Sequence, residues 1–311
     1  MHDPLSDVLR LVRLTGCVYF LHEFRAPWSM AIDQGPHAQF HLVVQGTCCV
    51  QHDGQTFQVE AGEVVLFPHG AQHLLAASDD ADEARPGIEV VSAIQSGQRP
   101  FDGEGPATRL LCGHFAYDSD LAGTLFNGLP DLVRVRAFDA MTPGLADSVV
   151  PLLVREMAGN RPGTDIIVAR LAEVLLIEVL HRHVEQAGTD SGILAAMRDN
   201  RLARAISAMH GKPHHPWTLE ELAREAGMSR SAFAQAFHEI AGVAPGAYLT
   251  SWRMLRAREL LRDTDQAIIK IAEHVGYGSE LTFTRAFQRA FDVTPARLRR
   301  LRGEEPSALA G

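Results

Sequence analysis

Two segments of this chain, residues 229–237 and 279–287, carry side chains that can hydrogen-bond to the edges of DNA bases. Gln offers a donor and an acceptor that match adenine, Arg offers paired donors that match guanine, and the Thr methyl group can contact a thymine methyl. If both segments are helices, the exposed candidates are Arg230, Ser231, Gln235, Ser279, Glu280, Thr282 and Arg285. Together these residues predict that the protein recognises a DNA sequence through contacts with base edges.

The elements that must position these side chains form an internal repeat. Phe233 and Phe237 lie one helical turn apart, so both can point into one small core. The pairs at an offset of fifty are Ser229/Ser279, Phe233/Phe283, Phe237/Phe287, Gly242/Asp292, Val243/Val293 and Pro245/Pro295, with Ala223/Ala272 and Gly227/Gly276 at forty-nine. A helix, a glycine turn and a serine-capped second helix form the pattern of a helix-turn-helix. The sequence therefore predicts two such units.

A long helix is predicted to join the two units, from Pro245 through Leu261. A helix of that length spans about 25 Å, and major grooves on one side of a duplex recur every ~34 Å. The spacing is of the right order to hold two recognition helices in successive grooves.

Residues 200–302 resemble the DNA-binding domain of the AraC/XylS family of bacterial transcription regulators. The carrying residues are Leu222-Ala223, Gly227-Met228-Ser229, Phe233, Phe237, Ile271-Ala272, Val275-Gly276-Tyr277, Ser279, Phe283, Arg285, Phe287 and Val293-Thr294-Pro295. The resemblance implies asymmetric double-stranded sites near promoters, with RNA polymerase as an expected partner. Asp292 stands where the family often has Gly, and because Asp tolerates a left-handed helix end, we expect the fold to be kept.

The amino-terminal third has the composition of a β-domain. Short runs rich in Val, Phe and Leu alternate with turn residues between Gly16 and Phe115, and residues 87–91 form one of these runs. Asp53-Gly54 lies between two runs and predicts a hairpin. Many short strands at close spacing predict an antiparallel β-barrel.

From Leu129 the apolar period changes to that of a helix. One helix is predicted to open at Thr142-Pro143-Gly144, and a longer one carries apolar residues from Ile167 to Leu180 on more than one face. Such a helix either packs against the barrel or forms a homodimer interface.

Residues 62–73 resemble the second motif of cupin barrels, Gly-x5-Pro-x-Gly-x2-His, whose final His is often a metal ligand. Residues 40–46 resemble the end of the first cupin motif, without its His-x-His pair and carboxylate. By strand parity, His41 points into the barrel, and Cys112 and His114 share a face. Candidate ligands for zinc or another divalent metal are His41, His73, Cys112 and His114. The alternative is a barrel without metal, in which these histidines are packed or hydrogen-bonded.

Regulators of this family often carry an amino-terminal cupin, so the resemblance extends over most of the chain. The predicted fold is a multidomain α+β chain: a cupin-like β-barrel sensor domain (residues 1–128), a helical dimerisation and linker segment (129–192), and an all-α DNA-binding domain (193–303) with two helix-turn-helix motifs bridged by a long helix. Some such regulators sense oxidants through a cysteine near the chain start, and Cys17 is similarly placed. The alternative is an ordinary buried thiol.

The charge distribution supports two units with different partners. From residue 195 onward, 17 Lys and Arg stand against 13 Asp and Glu, whereas the first 194 residues hold 12 and 25. Neither a membrane span nor a signal peptide is predicted, so we expect a cytoplasmic protein.

The leading hypothesis is a dimeric transcription regulator, an activator rather than an enzyme, that responds to an effector the sequence does not identify. A cupin metalloenzyme of the dioxygenase type, fused to DNA-binding helices, is the alternative from another class. A third hypothesis is a regulator whose barrel only dimerises.

Overall fold

The computed structural model describes residues 3–12, 14–79, 83–117, 128–136, 146–159, 161–186 and 192–304. Contacts separate these residues into two compact units. The sensor unit contains the described residues between 14 and 117 and between 129 and 186, and the reader unit contains residues 3–12, 128 and 192–304. Within the described chain, no helix is long and apolar enough to cross a membrane.

The sensor unit is built on two five-stranded sheets. The strands are β1 (Thr15–Arg25), β2 (Ser29–Ile32), β3 (Ala38–Gln45), β4 (Thr47–His52), β5 (Gln55–Glu60), β6 (Glu63–Phe67), β7 (His73–Ala76), β8 (Arg85–Pro86), β9 (Ala107–Ala116) and β10 (Val133–Arg136). Their orders are β1-β9-β3-β6-β10 and β5-β4-β7-β2-β8, antiparallel except for β2 with β8. Asp53 and Gly54 turn β4 into β5 with positive φ angles of 49° and 70°, as the hairpin prediction requires.

The two sheets are separately hydrogen-bonded and share one core, so the domain is cupin-like without being a closed barrel. The predicted β-barrel is therefore corrected to two separate sheets that share one core. Val43 and Leu110 from one sheet meet Val50 and Leu75 from the other in a single buried cluster.

The strand predicted at residues 87–91 is also wrong, because Gly87–Gln95 forms helix α2. Its apolar residues Val90, Val91 and Ile94 recur at helical spacing and pack on the same core.

Two helices complete the sensor unit, α3 (Ala146–Ala158) and α4 (Thr164–Gln186). The predicted opening of α3 at residues 142–144 lies outside the described residues. Helix α4 approaches β1 so closely that a Cβ atom on Gly16 would lie 2.9 Å from the Ala172 Cβ. Packing against a sheet therefore accounts for one apolar face of α4.

The reader unit is helical. Its helices are α1 (Pro4–Val12), α5 (Ile193–Arg198), α6 (Asn200–Gly211), α7 (Leu219–Ala226), α8 (Arg230–Ala241), α9 (Pro245–Asp263), α10 (Ile268–His274), α11 (Glu280–Phe291) and α12 (Pro295–Glu304). Thr218 and Glu221 form the capping box that their spacing predicts. Asp292 ends α11 in the left-handed region with φ 53°, where Gly242 ends α8 with φ 74°. The substitution of Asp for Gly is thus accommodated.

Helix α1 packs with the reader helices, although the sequence interpretation assigned it to residues 1–128. Val8, Leu11 and Val12 are buried, and the Asp7 carboxylate lies 3.4 Å from Nδ1 of buried His210. The His210 ring stacks on Trp252 at a centroid distance of 3.5 Å. The amino-terminal helix is therefore part of the reader core.

Candidate nucleic-acid interface and buried histidine chain

Each helix-turn-helix is held by its own core. Phe233 and Phe237 of α8 are fully buried, in one cluster with residues of α6 and α7. Phe283 and Phe287 of α11 are equally buried, in a second cluster with residues of α9 and α10. Because each Phe pair lies one turn apart, it fixes which face of its helix points outward.

The two outward faces are equivalent in exposure. From residue 231 to 238 and from 281 to 288, the order of buried, half-buried and exposed positions is the same. The predicted base-contacting residues that lie exposed on these helices are Arg230, Ser231, Gln235, Glu280, Thr282 and Arg285. Leu281 is 60% exposed, a large apolar side chain available to a thymine methyl.

Ser279 caps its helix, the role that the serine-capped pattern of the repeat predicts, in addition to being a candidate for base contact. Its hydroxyl oxygen accepts from the backbone N–H of Thr282 and caps α11, as Ser229 does for α8 with Ala232. Both serines therefore fix the start of a recognition helix.

Sequence reasoning missed Glu239 on the same face of α8. The Gln235 amide nitrogen donates to the Glu239 carboxylate at 2.9 Å. The residue that corresponds to Glu239 in the repeat is Arg289, which is also exposed. The spacing of i and i+4 on an exposed face was the available signal for both.

In the sensor unit, three of the four candidate ligands form a buried chain. His41 Nδ1 lies 3.0 Å from Cys112 Sγ, and His41 Nε2 lies 2.8 Å from His73 Nε2. His41 and Cys112 face each other on the paired strands β3 and β9, while His73 opens β7 in the other sheet. The chain therefore crosses the core between the sheets.

The direction of the hydrogen bonds follows from the outer end of the chain. His73 Nδ1 lies 2.7 Å from the Ala71 carbonyl oxygen, which only accepts, so Nδ1 carries the proton. His73 Nε2 then accepts from His41 Nε2–H, and His41 Nδ1 accepts from the Cys112 thiol. In this arrangement all three side chains are neutral.

Burial favours the same neutral state. It lowers the pKa of His73 to about 4 and, with His73 as a neighbour, holds the pKa of His41 well below its usual value. Burial also raises the pKa of Cys112 well above its usual range. In a low-dielectric core the charged forms are the costly ones, so the chain is a set of neutral hydrogen bonds at neutral pH.

This geometry does not fit a single metal ion. Two nitrogens bound to one tetrahedral zinc at ~2.0–2.1 Å would lie about 3.3 Å apart, farther than the 2.8 Å between His41 and His73. Cys112 Sγ contacts Nδ1 of His41, whereas His73 contacts the other ring nitrogen, Nε2. Among the described residues, no group of three or more His, Cys, Asp or Glu side chains is arranged to hold a metal. Metal binding remains a prediction.

His114, the fourth candidate ligand, lies apart from the chain. Its ring stacks on His37 at 4.8 Å and contacts Tyr19 at 5.1 Å. Cys112 and His114 are two residues apart on β9, which separates their Cα atoms by roughly 6.8 Å. In this structure a shared face of the strand does not bring the two side chains together.

The cysteines show no activated thiol in this structure. Cys17 is exposed, on the strand paired with β9, and desolvation by neighbouring atoms raises its pKa. Burial raises the pKa of Cys48 to about 12 and also raises that of Cys49. Reactive thiols have lowered pKa values, so redox sensing by Cys17 remains a prediction.

Two helix-turn-helix units that follow a cupin-like domain along the chain are the domain composition of a DNA-binding transcription regulator. The cupin family model matches residues 3–185, and a helix-turn-helix domain model matches residues 222–301. The chain belongs to the AraC-like family of helix-turn-helix transcription regulators with an amino-terminal cupin domain.

Relatives align over almost the whole chain. A putative AraC-like transcription regulator of Streptomyces antibioticus is 30% identical, over 96% of this chain and 98% of its own length. An uncharacterised HTH-type transcriptional regulator of Haemophilus influenzae is 29% identical, over 96% and 98%. The RCS-specific HTH-type transcriptional activator RclR of Escherichia coli is 27% identical, over 96% and 97%.

Proposed function

We propose that this chain is a transcription activator, not an enzyme, that binds promoter DNA through α8 and α11. The observation that carries the proposal is the pair of equivalent exposed faces on α8 and α11, each fixed by a buried Phe pair. One face offers Gln235 and the other offers Arg285, side chains that hydrogen-bond to adenine and guanine. RNA polymerase is the expected partner at a promoter.

The sensor domain is proposed to respond to a small molecule, a metal or an oxidant. His73, the outer member of the buried chain, lines an open cleft of about 560 Å³ together with His52, Gln72 and Asp131. A solute that displaces the His73 ring would break a hydrogen-bonded link between the two sheets. The E. coli relative is named as an RCS-specific activator. Oxidants are among the signals to be tested because Cys17 is an exposed thiol.

A homodimer is proposed to form through the exposed side of α3 and α4. Ile166 and Ile167 on α4 are 69% and 42% exposed, and Leu152 on α3 is 36% exposed. Sedimentation should show a dimer for the wild type and a shift to monomer for Ile166→Asp/Ile167→Asp. An unchanged dimer would exclude this face.

The test of DNA binding is a gel shift with the full chain and its own upstream DNA. The wild type is expected to bind, and Gln235→Ala/Arg285→Ala is expected to lose about 10-fold or more in affinity for that DNA. Arg25→Ala, which removes a 54%-exposed arginine from β1 of the sensor surface, is the charge-matched control for Arg285. Equal affinities for the double variant and the control would refute this interface.

The signal is tested in the same assay. Candidate oxidants, divalent metals and small molecules are added to the wild type and to Cys17→Ser, with metal content measured after dialysis. An oxidant response that survives Cys17→Ser would exclude Cys17 as the sensor. Wild-type protein without bound metal, and with no response to added metal, would exclude a metal sensor.

A further inference from the structure

The two recognition helices carry opposite hydrogen-bonding chemistry at equivalent positions. Gln235 and Glu239 lie one turn apart on the exposed face of α8. Fifty residues later, the same two positions on α11 hold Arg285 and Arg289. One helix therefore presents an amide and a carboxylate where its repeat presents two guanidinium groups.

On α8 the contact between the two side chains orients the amide. A carboxylate only accepts hydrogen bonds, so the 2.9 Å contact places the Gln235 nitrogen toward Glu239 and the Gln235 carbonyl oxygen away from it. The carbonyl oxygen and the second amide hydrogen remain available to a base. An adenine offers the matching amino donor at N6 and acceptor at N7.

Phosphates repel a carboxylate, so a carboxylate on a DNA-facing helix requires a compensating role. Affinity for any duplex comes mainly from cations that neutralise phosphates, and Glu239 works against that attraction. Fixing the amide of Gln235 is such a role, since it raises discrimination between bases at a cost in general affinity.

On α11 the chemistry is the reverse. Arg285 and Arg289 are permanent cations that only donate, and neither makes an ion pair with another residue of the described chain. Guanine presents two acceptors, O6 and N7, in the major groove. Both arginines therefore match guanine, or phosphates beside it.

We propose that Glu239 is a specificity-determining residue that positions the Gln235 amide, so that α8 selects bases with an amino donor in the major groove, adenine before cytosine. Helix α11 selects guanine through Arg285. The inference rests on the proposed DNA interface. It adds which hydrogen-bonding groups, donors or acceptors, each half of the target presents. The predicted target is thus asymmetric, with adenine or cytosine in one half and guanine in the other.

The test is selection of bound sequences from a pool of random duplexes by the full chain, followed by binding measurements on the selected DNA. The wild type should prefer adenine at one position by about 5- to 100-fold, the usual effect of a well-formed base contact. Glu239→Ala should reduce that preference to within about 3-fold and should bind random duplex more tightly, because a negative charge is removed. The guanine preference of the other half should not change.

Glu239→Gln is the matched control. Its side-chain oxygen still accepts from Gln235, so the adenine preference should be retained although the charge is gone. If Glu239 only stabilised the helix, both variants would lose affinity for selected and random DNA alike, with a lower unfolding midpoint. That result, or an adenine preference unchanged in Glu239→Ala, would overturn the proposal.

Failure of the interface itself gives a different result. If α8 and α11 do not face DNA, the selected motif will be the same for wild type, Gln235→Ala and Arg285→Ala. If Arg285→Ala loses its guanine preference while Gln235→Ala and Glu239→Ala select the wild-type motif, the α11 interface stands and the roles of Gln235 and Glu239 on α8 are refuted.

Discussion

Acidification should destabilise the sensor unit through His73. Unfolded His73 takes up a proton near its usual pKa of 6.5, whereas the folded, buried residue does so only near a pKa of about 4. Between these values the unfolded state binds more protons, so stability is complete above about pH 6.5 and falls as the pH drops. Each pH unit in this window costs about 1.4 kcal/mol. Lowering the pH from about 6.5 to 5 should therefore cost about 2 kcal/mol.

The assay compares the wild type with His73→Asn, whose side-chain nitrogen can still donate to the Ala71 carbonyl. Urea unfolding is followed by the fluorescence of Trp28, which is 3% exposed in the sensor core. The other two tryptophans, Trp217 and Trp252, are replaced by Phe in both proteins so that the signal reports this unit alone. The variant should be less stable at about pH 7, and its stability should depend less steeply on pH.

The difference between the two proteins reports His73 together with its effect on His41. His22, His114 and His183 also have pKa values lowered by burial, and they add the same slope to both proteins. His41 is buried in the wild type as well, and His73→Asn removes the His73 contribution to its lowered pKa. The variant should thus lose about 2 kcal/mol less than the wild type over this pH range. Equal losses, within about 0.5 kcal/mol, would show that His73 is not held neutral in the fold and would refute the hydrogen-bond chain derived from it.

Three further changes test the packing of each unit. Phe287→Ala should cost about 3–5 kcal/mol by emptying the core under α11 and should abolish specific binding in a gel shift, while the Trp28 transition stays in place. Asp7→Asn should lower the stability of the reader unit by about 1–3 kcal/mol in urea unfolding followed by circular dichroism, because it removes the charge beside His210. Gly113→Ala should destabilise the sensor by about 2 kcal/mol or more in the Trp28 assay, since the new Cβ would lie 2.2 Å from a backbone oxygen of β1.

The features that the sequence predicted well are those with a local physical cause. Two phenylalanines one turn apart specify a helix with one buried face, and Asp53-Gly54 specifies a hairpin, because each depends on neighbouring residues alone. The order of exposed positions on α8 and α11 followed from the same local rule. Strand parity likewise placed His41 between the sheets.

The features that the sequence did not predict depend on distant contacts. The docking of α1 rests on Asp7 meeting His210, a pairing that no local pattern contains. The position of His114 relative to His41 was unpredicted for a related reason, since parity gives the face on which His114 lies but not its distance from His41 along the sheet. Residues 87–91 were assigned to a strand because a short apolar run does not distinguish a strand from a helix.

The internal repeat distinguishes the residues that maintain the fold from those that are proposed to contact DNA. The buried positions of the two helix-turn-helix units hold the same residues, Phe233 with Phe283 and Phe237 with Phe287. The exposed positions differ in chemistry throughout: Arg230 with Glu280, Ser231 with Leu281, Gln235 with Arg285, and Glu239 with Arg289. If both helices contact bases, as proposed, they complement unlike patterns of donors and acceptors, because their exposed side chains differ. We therefore expect one chain to require two unlike half-sites in a fixed order and to distinguish the two directions along the duplex.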